Sequence, residues 1–329
     1  MKKYLVMLIA FAVCVSLSAC AKSDGSSMTS SEVSSSESST VSAASSAPYS
    51  SGSSAVSDAV TSAGTSSIGK GQAQSAAPSG QISGSASSSQ PEKAKTVRVV
   101  IPEGFTLSQI GDRLEANGVC KKAALLSTAN SYDFSYYSLI GKLGSSIQRC
   151  YKLEGYLFPD TYEFYENMKP QDALGRMLKN AESRIGSNYR YSGMTTDQVV
   201  TLASIIEKES GNVNEMAKVS SVFHNRLKAG MKLQADVTVI YVEKYLKPNL
   251  TGDINRYNAY YNTRKCPALP AGAISNPGKA ALNAAVNPAD TDYYYFAADS
   301  SGNYYYAKTY EEHKQNLAKA GIIEGGSMQ

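Results

Sequence analysis

Between Thr195 and Ser210 apolar residues return at the spacing of a helix. At about 100° per residue, Val199, Leu202 and Ile206 share one stripe, flanked by Ala203 and Ile205. Thr195, with Gln198 three residues on, marks the helix start as a capping box. Glu209 continues the apolar stripe, while Glu207 falls roughly 160° away from it, beside Val200. Ser210-Gly211-Asn212-Val213 breaks the helix. A second helical pattern starts near Asn214, carries Met216, Val219, Phe223 and Leu227 on one face, and ends at Gly230. From Met231 to Tyr241 the alternation predicts an extended segment, with Gln234, Asp236 and Thr238 on one face.

Weaker patterns flank this centre. Val97 to Pro102 predicts a strand. Thr106 to Leu114 predicts a helix with Leu107, Ile110 and Leu114 on one face, and Lys121 to Ala129 predicts another. Asp292 to Ala298 and Tyr304 to Ala307, joined through Ser300-Ser301-Gly302-Asn303, predict a hairpin. Strands and helices in irregular order argue for an α+β fold rather than a doubly wound sheet.

The chemistry in this pattern is a carboxyl group on a greasy helix face. A glutamate in apolar surroundings keeps its proton to higher pH, which is how it becomes a general acid near neutrality. The same geometry describes a frayed last turn whose Glu209 reaches water. Gln234, Asp236 and Thr238 suit the lining of a sugar cleft, and equally suit an ordinary amphipathic strand.

The N-terminus speaks to location. Lys2-Lys3 precede an almost wholly apolar run from Tyr4 to Val15, then Leu17-Ser18-Ala19-Cys20. Residues 1–20 read as a lipoprotein signal with Cys20 as the lipidated residue. Cleavage by an ordinary signal peptidase after Ala19, or an uncleaved anchor, are the alternatives. Residues 21–95 are rich in Ser, Ala and Gly and predict a disordered linker. As a flexible coil of about 70 residues it spans roughly 45–50 Å.

Composition removes other classes. With 2 His residues in the chain and no Cys-x-x-Cys spacing, no metal site and no structural zinc are expected. Beyond Cys14 and Cys20 the cysteines are Cys120, Cys150 and Cys266, an odd number that argues for free thiols over a disulfide framework. Net charge is +4, without the basic helix or aromatic–basic alternation that nucleic acid would call for.

Several motifs stand in a telling order. Glu154 to Tyr162 (EGYLFPDTY) is followed by Leu202 to Ser210 (LASIIEKES) and Val219 to Leu227 (VSSVFHNRL). Then come Leu233 to Tyr241 (LQADVTVIY), Tyr261-Asn262-Thr263, Leu269 to Gly278 (LPAGAISNPG) and Tyr294 to Asp299 (YYFAAD). Over roughly residues 96–320 this series resembles the MltG/YceG-like family of endolytic murein transglycosylases. The resemblance implies a small LysM-like subdomain, placed at 96–150, and a catalytic domain at 151–329. It implies peptidoglycan as substrate, no cofactor, and Glu209 as the catalytic residue, the second glutamate of the Glu-Lys-Glu-Ser signature. Matching motif positions mark Gln234, Asp236, Thr238, Tyr261, Asn262 and Asn276 as substrate-binding. Cell-wall synthases are candidate partners.

The chain departs from the family pattern at Val237, where proline is usual, and at His224, where an apolar residue is common. It also departs at Tyr304, often His, and at Arg264-Lys265-Cys266, usually uncharged. The expected activity is cleavage of the bond between N-acetylmuramic acid and N-acetylglucosamine with a 1,6-anhydro end, at the outer face of the cell membrane through the Cys20 lipid. Two alternatives stand beside it. One is a two-carboxylate hydrolase using Asp236 or Asp160; the other is a wall-binding lipoprotein without activity.

Overall fold

The computed structural model describes residues 95–144 and 148–322. The signal segment with Cys20, and the linker up to residue 94, lie outside the described residues.

Strand β1 (Thr96–Ile101) alternates as expected, with Val99 and Ile101 facing the core. Its partner is β2 (Asp160–Tyr165), antiparallel, with Thr96 opposite Tyr165 and Ile101 opposite Asp160. Between them lie α1 (Leu107–Ala116), α2 (Lys122–Ser131) and α3 (Ser138–Gly141). Helix α1 starts at a reciprocal Thr106–Gln109 capping box and buries Leu107, Ile110 and Leu114. The boundary expected at residue 150 therefore falls between two paired strands, and the small N-terminal unit closes only with residues 160–165.

Helix α4 (Pro170–Arg184) places Ala173, Leu174, Met177, Leu178 and Ala181 in the core. The centre of the molecule is α5 (Thr196–Glu209), begun by the expected Thr195–Gln198 capping box. It packs against α9 (Lys279–Val286) and α6 (Met216–Lys228). Every residue of α5 from Val199 to Ile206 is buried, so water reaches it mainly at its ends. A tight 3-10 turn at Val213–Glu215 leads into α6, and the chain leaves α6 through Gly230 at φ +67°.

The extended segment expected at 231–241 does not form. Residues 236–240 are instead a short helix, α7 (Asp236–Ile240), which runs on as a π-helical turn over Tyr241–Leu246. The buried positions Thr238, Tyr241, Val242 and Leu246 follow helical spacing, which a reading that stops at Tyr241 does not capture. Val237, Thr238, Val239 and Ile240 favour strands in isolation, but tertiary bonds decide here. Gln234 turns the chain at φ +53°, and Thr238 Oγ1 donates to Ala235 O at 2.7 Å.

Helix α8 (Arg256–Tyr261) follows. After α9 the expected hairpin forms as β3 (Tyr295–Ala298) and β4 (Tyr304–Ala307), then α10 (Tyr310–Lys319). The order is α+β, with two small antiparallel sheets among helices in the described residues. Cys120, Cys150 and Cys266 are free thiols; Cys150 and Cys266 are buried and Cys120 is half-buried. Among the described residues no helix is long and apolar enough to cross a membrane.

One glycine is required by close approach. Gly155 sits at φ +92°, and a Cβ there would lie 2.5 Å from the Ala273 Cβ and 2.9 Å from Val200 Cγ1. The 154–157 segment can thus press directly on α5 and on the loop before α9.

Candidate active site

Helix α5 ends at Glu209 because Ser210 turns extended, at φ −116° and ψ 108°. Ser210 Oγ donates to Asn212 O at 2.8 Å, and the Asn212 side chain accepts from Asn214 N–H at 3.0 Å. These local bonds fix the break that leaves Glu209 at a helix C-terminus, where the helix dipole disfavours a carboxylate.

Glu209 lines a cleft of about 680 Å³. One wall brings together Arg226, Gln234, Asp236 and Arg264; the other is built by Tyr295, Phe296, Tyr310 and His313. Among the described residues nothing hydrogen-bonds to the Glu209 carboxyl group. Burial first, then the negative charge of Asp236, push its pKa up from 4.5 to about 7, against the pull of the Arg226 guanidinium. Near neutrality this group is divided between acid and base.

Glu207, which lies off the apolar stripe, is half-buried. Its Oε2 accepts from Gly278 N–H at 3.0 Å, and its pKa is also raised by burial. Both glutamates are half-buried, on different sides of a helix packed in protein, so a single stripe does not separate them. What distinguishes Glu209 is an open cleft and, among the described residues, no hydrogen-bond partner for its carboxyl group.

Arg226 is 7% exposed and was not singled out by pattern. Its Nε donates to Tyr294 O at 2.6 Å, and Nη1 donates to Lys232 O at 3.2 Å, Leu233 O at 2.9 Å and Gln234 Oε1 at 3.2 Å. The guanidinium also lies 5.0 Å from the centre of the Tyr295 ring. It is a tie across the cleft floor; an arginine on the inner side of α6, one residue from the Phe223–Leu227 stripe, was its only signal.

Gln234 and Asp236 both reach the cleft, although not through a shared strand face. Asp236 opens α7 and pairs with Arg264, whose Nη2 and Nε lie 2.7 and 2.8 Å from Asp236 Oδ1. Asn262 stands behind this pair: its Oδ1 accepts from Arg264 N–H at 2.9 Å.

The other motif residues are frame. Thr238 is fully buried and bonds Thr263 Oγ1 at 3.1 Å. Tyr261 is fully buried, its hydroxyl accepting from Cys150 N–H at 3.2 Å. Asn276, also fully buried, accepts from Gly155 and Leu157 N–H at 3.0 and 2.8 Å and donates to Phe105 O at 2.9 Å. Their expected contact with substrate gives way to a structural role, because no surface of these three side chains is open. Asp160 does not line the cleft either. It binds Asn180 and Arg184 at the start of β2.

A second buried acid went unnoticed in the sequence. Glu154 is 1% exposed. Its carboxyl group receives Leu107 N–H at 2.9 and 3.1 Å, Tyr241 O–H at 3.0 Å and Asn276 Nδ2–H at 3.1 Å. Burial pushes its pKa up to about 8 despite those donors. It ties α1, the π turn and the loop before α9 together behind the cleft. The signal was a charge set in the otherwise apolar run from Leu153 to Phe158.

The family departures take clear places. His224 is buried, donates from Nε2 to Ala285 O at 2.9 Å, and lies against the Tyr191 ring at 4.3 Å. Burial lowers its pKa, which fits a neutral packing residue. The Tyr304 hydroxyl donates to Glu209 O and Ser210 Oγ, both at 3.4 Å, and so touches the turn that carries the acid.

A buried acid in an open cleft, its pKa near neutrality and its neighbouring carboxylate held by an arginine, has the character of a general acid–base group. Residues 51–319 match the model of the YceG-like family, and the chain belongs to that family. It is 29% identical over 251 residues to an endolytic murein transglycosylase of Streptococcus pneumoniae, covering 70% of this chain and 46% of the relative. It is 36% identical over 171 residues to one of Bacillus subtilis, covering 51% and 48%. The chain thus spans about half the length of the curated relatives it matches. A crystal structure of a yceG-like protein from Listeria monocytogenes superposes with a TM-score of 0.58 at 34% identity, covering 66% of this chain and 75% of that one.

Proposed function

We propose that the protein is a peptidoglycan lytic transglycosylase with Glu209 as its single catalytic group. The observation that carries this reading is the Glu209 carboxyl group: in the cleft, without a hydrogen-bond partner among the described residues, and with its pKa raised to about 7. The similarity to the endolytic murein transglycosylases of Streptococcus and Bacillus supports the substrate class.

Glu209 in its acid form protonates the oxygen that joins N-acetylmuramic acid to N-acetylglucosamine. The bond from that oxygen to the muramic anomeric carbon breaks, and the glucosamine leaves with the proton. The carboxylate then takes the proton from the muramic 6-hydroxyl as its oxygen closes on the anomeric carbon. Glu209 is regenerated as the acid, and the product carries a 1,6-anhydro end. Arg226 favours the carboxylate formed between the two steps, while burial and Asp236 favour the acid at the start. One residue suffices because the nucleophile belongs to the substrate.

The same cleft holds Asp236, which keeps a two-carboxylate hydrolase as the competing reading. Its ion pair with Arg264 favours an orienting role instead. Asp236→Asn is expected to retain measurable turnover and to release anhydro ends. Mass analysis of the released glycans decides. Ordinary reducing ends, with a dead Asp236→Asn, would establish the hydrolase; intact glycans with the parent protein would establish a binding protein.

Lipidation at Cys20 holds the enzyme at the outer face of the membrane in this reading, with wall synthases as candidate neighbours. Cys20→Ala should leave the membrane fraction or stall in maturation. A variant still firmly membrane-bound would mean that residues 4–19 act as an anchor helix.

A further inference from the structure

We propose that Arg264 is the substrate-carboxylate receptor of the cleft and makes the protein prefer anionic glycan strands. The inference rests on the reading of the cleft as a glycan site.

The two arginines in the cleft have opposite standing. Arg226 is buried and spends Nε and Nη1 on three backbone carbonyls and Gln234. Its position is fixed, and it has little to offer a ligand. Arg264 stands at the mouth with its side chain 54% exposed, opposite an Asp236 side chain that is 65% exposed. An ion pair this wet contributes little to stability, so exchanging one carboxylate for another costs little.

The geometry of the pair leaves room for that exchange. Both Nε and Nη2 converge on the one oxygen, Asp236 Oδ1. The two-on-two fork that arginine forms with a carboxylate is not used. A substrate carboxylate can take that fork, with Asp236 as the partner that holds the guanidinium ready in its absence. Without Arg264, the negative charge of Asp236 would repel such a ligand.

The surroundings mark a built position rather than a chance surface pair. Thr263, next to Arg264, is fully buried. Its Oγ1 accepts from Ala235 N–H at 2.9 Å, its N–H donates to Thr238 Oγ1 at 3.2 Å, and its carbonyl accepts from Gln234 N–H at 3.2 Å. The segments that carry Asp236 and Arg264 are thereby locked to each other. Asn262 fixes the turn that presents Arg264, accepting from its N–H with the side chain and from Lys265 and Cys266 N–H with the backbone. A preorganised guanidinium loses little freedom when it binds.

A glycan strand offers carboxylates from two sources: the stem peptide, or the lactyl group of muramic acid where the stem has been removed. Binding is measured with the full chain carrying Glu209→Gln, so that no cleavage intervenes. Four strands serve as probes: stem-bearing strands with free carboxylates, the same strands amidated, stem-less strands with free lactyl groups, and their amides. Adding Arg264→Gln is expected to weaken one carboxylate-bearing strand about tenfold or more and to leave amidated strands within about twofold. The strand that loses affinity identifies the source. Arg264→Lys should recover part of the loss, as a charge without a fork. Equal weakening of all four strands, or none, overturns the assignment while leaving the glycan site standing. If no strand binds the Glu209→Gln protein even with Arg264 present, the glycan reading falls and takes this inference with it.

Discussion

Glu209→Gln is expected to lower glycan cleavage at least about 10²–10⁴-fold, since one group supplies both proton transfers. The folded state should survive and gain stability at alkaline pH. The sign follows from the raised pKa. Below 4.5 the acid is protonated in the folded and unfolded chain alike, and folding pays no penalty. As pH rises from there to about 7, the unfolded chain ionises first and folded-state stability is lost. At about 1.36 kcal/mol per tenfold change in proton affinity, the loss amounts to about 3 kcal/mol. The glutamine variant should therefore match the parent at pH 4 in denaturant unfolding and exceed it at pH 8. Parent cleavage should fall as pH rises through about 7. Glu207→Gln keeps an acceptor for Gly278 N–H and should remain active. An active Glu209→Gln beside an inactive Glu207→Gln would reverse the assignment.

Glu154→Ala is expected to cost about 3–5 kcal/mol of stability, because it leaves three buried donors without an acceptor. Those donors are the Leu107 amide, the Tyr241 hydroxyl and the Asn276 side chain. Urea unfolding measures the loss. Glu154→Gln should cost less, since one acceptor oxygen remains while the new amide meets a donor. A Glu154→Ala protein within about 1 kcal/mol of the parent would show that the network is not needed for the fold.

What the sequence made legible was local. The capping boxes Thr106–Gln109 and Thr195–Gln198, the stop at Gly230 and the hairpin across residues 299–303 involve neighbours in the chain, and they form as expected. The helical stripe selected Glu209, and the structure opens a cleft at that residue. What failed depended on distant partners. The positive φ at Gln234 and the Thr238–Thr263 lock turn an apparent strand into a helix. The β1–β2 pairing joins segments with three helices between them, so no periodicity in Thr96–Ile101 names its partner. Motif membership did not separate Asp236, which lines the cleft, from Tyr261 and Asn276, which brace it from within. Glu154 looks like any charged residue until three donors converge on it.

The far wall of the cleft has a consequence for timing. Tyr294 and Tyr295 hold Arg226, Phe296 meets Phe223 edge-on at 5.9 Å, and Tyr304 reaches the Glu209 carbonyl. All of these wall residues come from the last part of the described chain, after α9. Ribosomes deliver a protein from its N-terminal end. While the chain is still emerging, the cleft around Glu209 lacks its aromatic wall. The acid takes up its dry setting only when the hairpin and α10 have docked, so the group with the raised pKa is among the last parts of the fold to be assembled.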